Sequence, residues 1–125
     1  MTPSRPAALI VDDQPFVGLV TSDVLCECGF ESFHAYDATE ATHILEEHPE
    51  IEVLVSEAQL PGDFTGLDLC HQVSRRHPDV QLIVISSGEG VRATELPFGA
   101  RMLRKPFASG ELRTMLARKM ILENS

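Results

Sequence analysis

The sequence predicts an α/β protein built on a parallel sheet, and two observations carry that reading. Short apolar runs alternate with amphipathic segments along the chain, the mark of repeated βαβ units. Several of those runs also end in a residue with a reactive or charged head. Leu9-Ile10-Val11 ends in Asp12 and Asp13, Val53-Leu54-Val55 leads to Glu57, Leu82-Ile83-Val84-Ile85 ends in Ser86, and Met102-Leu103 leads to Lys105. Open parallel sheets hold ligands beyond the carboxyl ends of their strands. These side chains are therefore expected at one edge.

The elements follow in order. The first strand covers about 7–12. The first helix, about 15–28, places Phe16, Val17, Val20, Val24 and Cys28 at helical spacing, and Gly29 stops it. The second strand covers about 31–35. The second helix starts after Asp37 as N-cap, with Glu40 three residues on as the partner of a capping box, and Pro49 ends it after His48. The third strand covers about 51–56. A turn-rich loop from Leu60 to Gly66 leads to a third helix at about 67–77, stopped by Pro78. The fourth strand is at about 80–86 and the fifth at about 100–104. The last helix runs from Ser109, read as its N-cap, to about Leu122, with Leu112, Met115, Leu116 and Met120 inward. Between the last two strands, Ser87-Gly88-Glu89-Gly90 and Pro97-Phe98-Gly99 leave only Val91 to Leu96 for a helix. The fourth helix is therefore expected to be short, distorted or absent.

Bulk properties narrow the classes. A chain of 125 residues is one domain, read as a lead-in at 1–6, a folded body at 7–122 and a tail at 123–125. No apolar run is long enough for a membrane helix, and residues 1–6 lack a signal core, so a cytoplasmic protein without a membrane partner is expected. Cys26, Cys28 and Cys70 match no common zinc spacing and read as buried or half-buried helix thiols. The net charge of −9 argues against nucleic acid as a direct partner. It is unevenly spread: residues 1–63 hold thirteen acids and one base, residues 92–119 seven bases and two acids. The basic region is either a solvated helix face or a surface that steers an acidic protein.

Three carboxylates at one sheet edge repel one another unless a divalent cation or Lys105 neutralises them. Carboxylates, a backbone carbonyl and waters suit Mg²⁺, with the carbonyl of Gln59 as the backbone candidate. Ser86 and Lys105 suit phosphoryl oxygens, one as a hydroxyl donor and the other as a point charge.

The string VDD at 11–13, an acid four residues before Pro61, SS at 86–87 and KPF at 105–107, in this order and each at a strand end, resemble the receiver domain of two-component response regulators. The resemblance covers about 7–122. It implies a flavodoxin-like doubly wound fold, five parallel strands in the order 2-1-3-4-5. It also implies that Asp12 and Asp13 are the acidic metal pair, Ser86 the switch hydroxyl, Lys105 the family's lysine and Lys105-Pro106 a cis bond. The family takes a phosphoryl group from a histidine kinase onto an aspartate with Mg²⁺, and then changes the surface around helix four, strand five and helix five.

The chain departs from that pattern where it matters. The phosphoacceptor position is Glu57, the aromatic switch three residues before the lysine is Met102, and helix four is cut short. The loop after Pro61 is also one residue longer than the commonest form. A glutamate carboxylate stands roughly 1.3–1.5 Å further out, and an error near 1 Å costs in-line transfer about a hundredfold. Three readings of Glu57 stay open: an imitation of the phosphorylated state, an inert pocket ion-paired to Lys105, or genuine phosphorylation.

The expected function is thus an atypical stand-alone receiver, not an enzyme, acting through protein contacts and independently of phosphorylation. The alternative is an active phosphoacceptor that takes a phosphoryl group from a histidine kinase with Mg²⁺. The chain ends at Ser125 without a linker or DNA-binding segment, so output is expected through a kinase or downstream protein. The expected contact surface comprises Arg101, Met102, Arg104, Arg113 and Arg118, and a homodimer is expected to use the same region.

Overall fold

In the computed structural model, the apolar runs form β1 (Ala7–Val11), β2 (Glu31–Ala35), β3 (Ile51–Glu57), β4 (Gln81–Ser87) and β5 (Arg101–Lys105). The helices are α1 (Pro15–Glu27), α2 (Ala38–Glu47), α3 (Gly66–Arg76) and α4 (Ser109–Asn124). The structure describes residues 5–87 and 91–124, without the side chains of 15–18 and 117–124. All strand pairs are parallel, in the order β2-β1-β3-β4-β5.

Strand alternation sends the core to both faces of the sheet. Leu9, Val11, Leu54, Leu82 and Val84 pack with Ala41 and Leu45 of α2 and Leu69 and Val73 of α3. Ile10, Val53, Val55, Ile83 and Leu103 pack with Val24 and Leu25 of α1 and Leu112 and Leu116 of α4. Burial on both faces is why β1, β3 and β4 read as continuous apolar runs. Among the described residues no helix is long and apolar enough to cross a membrane.

The expected fourth helix is reduced to a single 3-10 turn, Ala93–Glu95. Val91 is buried and Leu96 packs on the core, so this segment covers its part of the sheet without a full helix. His71 of α3 steadies it through Nε2, 2.7 Å from the carbonyl oxygen of Glu95.

Local expectations need correction in places. Val20 points to solvent, because α1 buries Thr21, Val24 and Leu25, a stripe rotated by one residue. Phe16, Val17, Met120 and the Gly88-Glu89-Gly90 loop lie outside the described side chains or residues. Asp37 caps α2 by accepting from the Glu40 N–H at 2.8 Å, but the Glu40 carboxylate reaches the N–H of Tyr36 rather than that of Asp37. Ser109 is the first residue of α4 rather than the residue before it, and Glu111 N–H bonds the carbonyl of Ala108. Cys26 is exposed, while Cys28 is half-buried and Cys70 buried. Gly29 has a φ of 91° and does end α1, and Lys105-Pro106 is cis.

Candidate functional site

Four strand ends lie at the carboxyl edge of the sheet, where the charges of Asp12, Asp13, Glu57 and Lys105 act on one another. Asp12 follows β1 and is 8% exposed, Glu57 ends β3 at 7%, and Ser86 lies near the end of β4 at 2%. Lys105 closes β5 in register with Ser87, and Glu57 is in register with Ile85. The end of β3 is pinned from two sides: Ala58 N–H donates to the Ile85 carbonyl at 2.8 Å, and the Ser56 hydroxyl donates to the Glu57 carbonyl at 2.9 Å.

The loop after β3 folds back tightly on that end. Thr65 and Asp68 form a complete capping box at the start of α3, with distances of 3.1 and 3.2 Å. The Thr65–Asp68 spacing is the one local signal in the sequence for this helix start. Bonding to the Thr65 backbone N–H and hydroxyl holds the Asp68 carboxyl below its usual range. Gly66 passes so close under β3 that a Cβ there would lie 1.7 Å from the Glu57 carbonyl oxygen. Nothing in the local sequence distinguishes this glycine from a turn residue.

Glu57 Oε1 forms an ion pair with the Lys105 ammonium. No other hydrogen-bond donor reaches that oxygen among the described residues. Burial pushes the Glu57 carboxyl above its usual range, against the pull of Lys105, and the nearby charges of Asp12 and Asp13 add to the rise. Asp12 is also raised by burial, opposed first by the Gln14 N–H, which donates to its Oδ1 at 2.7 Å. The pocket therefore holds more negative charge than one ammonium offsets.

Asp13 and Gln59 are exposed at the rim. With Glu57 engaged by Lys105, the oxygen donors left for a cation are Asp12, Asp13 and the Gln59 carbonyl. They suit Mg²⁺ in type, with waters completing the shell. Among the described residues, no group of three or more Asp, Glu, His or Cys is placed to share a metal.

The expected contact surface is partly assembled. Arg104 is exposed, Arg101 and Met102 are half-buried on β5, and Arg113 on α4 pairs with Glu27 of α1. The side chain of Arg118 lies outside the described ones.

The family model of the response regulator receiver domain matches residues 8–117. The chain belongs to this family. Receiver domains are signalling domains of two-component systems that act through histidine kinases and other proteins. The chain is 31% identical over 124 residues to the response regulator protein PilR of Pseudomonas aeruginosa, covering 97% of this chain and 27% of that one. It is 30% identical over 114 residues to an NtrX-like response regulator of Rickettsia bellii, covering 88% and 24%. The chain thus spans about a quarter of the length of these curated relatives. In structure it resembles the receiver domain of NtrX from Brucella abortus, with a TM-score of 0.79, 24% identity, and 94% and 99% of the two chains covered. It also resembles a receiver protein from Sinorhizobium medicae, with a TM-score of 0.84, 20% identity, and 92% and 94% covered. At these identities the two structures speak to the receiver fold alone.

Proposed function

We propose that this receiver signals through protein contacts without waiting for phosphoryl transfer, with Glu57 standing in for a phosphorylated aspartate. The ion pair between Glu57 and Lys105 in a buried pocket carries this reading. In the family, the lysine at the end of the fifth strand meets the oxygens of the phosphoryl group. Here the longer acid already reaches that ammonium, with one charge where a phosphoryl group brings about two. A carboxylate committed to Lys105 is also a poor nucleophile, because in-line transfer requires an aligned, available oxygen.

Two features of the output side support the reading. Met102 fills the position of the aromatic switch, and a 3-10 turn replaces helix four. A module held in one state needs neither a mobile ring nor a movable helix. Arg104 and Met102 on β5 are the surface we assign to the protein partner, which is a histidine kinase or a downstream signalling protein. The acidic net charge keeps nucleic acid out of that role. We place the receiver body at residues 7–122 and assign no catalytic residue.

A second reading is an active phosphoacceptor, favoured by Asp12, Asp13, Ser86 and Lys105, all at strand ends as in the family. Mg²⁺, if bound by Asp12, Asp13 and the Gln59 carbonyl, would supply neutralisation of the transferred charge. Incubation with Mg²⁺ and acetyl phosphate, read by intact mass, separates the two. We expect no adduct on the natural chain and an acid-labile adduct on Glu57→Asp. A stoichiometric adduct on Glu57 itself overturns the phosphorylation-independent reading. If Glu57→Gln leaves binding to a partner unchanged, Glu57 is inert rather than an imitation of phosphate.

A further inference from the structure

The segment between β4 and β5 that stands in for a fourth helix is tied to the rest of the molecule by very little. The Glu95 N–H bonds the Arg92 carbonyl at 2.9 Å and the Leu96 N–H bonds the Ala93 carbonyl at 3.2 Å, so both bonds stay inside the segment. The Arg92 N–H likewise donates to the Glu95 carboxylate, at 3.4 Å. Val91 and Leu96 plug the two ends into the core cluster that also holds Leu69, Val84 and Met102. Arg92, Ala93, Thr94 and Glu95 between them are exposed. Among the described residues, one hydrogen bond crosses from residues 91–96 to another element. It joins His71 Nε2 of α3 to the Glu95 carbonyl oxygen at 2.7 Å.

The direction of that bond follows from its chemistry. A carbonyl oxygen only accepts, so Nε2 of His71 carries the hydrogen and donates it. The ring stands on a firm base, because α3 buries Leu69, Cys70 and Val73 and is capped at its start by Thr65 and Asp68. The segment it holds has no such support. A single 3-10 turn of three residues, Ala93–Glu95, is too short to persist on its own. Elements with few buried contacts and exposed backbone bonds open locally, at far less cost than global unfolding.

We propose that residues 91–96 form a strap that opens and closes over the sheet face beside β5, and that His71 is its latch. In the closed form, which the structure shows, Val91 and Leu96 cover the Leu69, Val84 and Met102 side of the core. Opening breaks one crossing hydrogen bond and lifts two apolar side chains, while α3 and β5 stay in place. It uncovers an apolar face next to Met102. The latch is carried by α3, so the strap answers to a residue outside the Asp12, Glu57 and Lys105 site. The proposal therefore does not rest on the signalling reading above.

Amide hydrogen exchange of the full chain, read at Glu95 and Leu96 with the β1 amides as reference, tests this. His71→Ala removes the donor and should speed exchange at both positions about five- to tenfold, the weight of one hydrogen bond, with β1 unchanged. The decisive arm compares His71→Gln with His71→Glu. The two new side chains are nearly equal in size, but glutamine offers the carbonyl an N–H donor and ionised glutamate offers only acceptors. His71→Gln should keep the strap close to its natural rate, and His71→Glu should open it at least as far as His71→Ala. Unchanged exchange in His71→Ala overturns the proposal. So does equal loosening of the β1 amides, which would make His71 a general support of the fold. Matching rates for His71→Gln and His71→Glu also overturn it, because packing and not the donated bond would then hold the strap.

Discussion

A Cβ on Gly66 would lie 1.7 Å from the carbonyl oxygen of Glu57 and 3.0 Å from that of Ala58. Both neighbours are backbone at the end of a central strand, so neither can swing aside. The close approach lets α3 begin directly beneath β3, and it sets where the Glu57 side chain emerges.

Gly66→Ala should therefore be among the most damaging single-methyl changes in the chain, costing about 2–4 kcal/mol by forcing β3 and α3 apart. Chemical denaturation measures the loss. Gly110, whose added Cβ would meet nothing within 4 Å, is the control, and Gly110→Ala should be near neutral or mildly stabilising. Equal effects at the two sites would remove the packing argument.

The buried pair should show strong coupling. Lys105→Met leaves the Glu57 carboxylate without its cation and should destabilise by about 1–3 kcal/mol, less than a fully enclosed pair because the Lys105 side chain is 25% exposed. Glu57→Gln removes a carboxylate that burial already disfavours and should cost less. The double variant should be more stable than Lys105→Met alone. Additive losses in a double-mutant cycle would mean that the two side chains do not interact in solution.

The raised Glu57 carboxyl makes stability depend on pH in a defined direction. The folded protein holds the proton to higher pH than the unfolded chain does. This contribution is therefore fully present below the ordinary glutamate range and is lost as pH rises through the folded value. On acidification from neutrality toward that range, the natural chain should gain stability relative to Glu57→Gln. Denaturation of both proteins across the acidic range gives the difference, and a flat or opposite trend would contradict a raised value.

Thr65→Ala breaks the capping box at the N-terminus of α3 and should cost about 1 kcal/mol. The loop between β3 and α3 should exchange its amide protons faster in this variant, while the β1 amides keep their protection. Unchanged exchange at Thr65 and Asp68 would argue that the cap contributes nothing to the loop.

Much of this protein was legible in its sequence, for physical reasons. A strand buried on both faces must be apolar throughout, so Leu9–Val11 and Leu82–Ile85 announce themselves, and the polar residue that ends each run marks the edge where ligands bind. The three departures at Glu57, Met102 and the shortened helix are likewise matters of residue identity and spacing. Helix faces were less legible. In α1, Val20 and Val24 fit one apolar stripe by spacing, and only packing against the sheet turned Val20 outward and Thr21 inward.

What tertiary structure alone decided is distance. Residue identity placed Glu57 and Lys105 at strand ends 48 positions apart in the chain; it could not say that their side chains would meet, because that depends on the register of β3, β4 and β5. Nor could it tell that Gly66 is pressed against a carbonyl. Those facts arise from segments far apart in sequence being brought into contact, and no local pattern of residues encodes them.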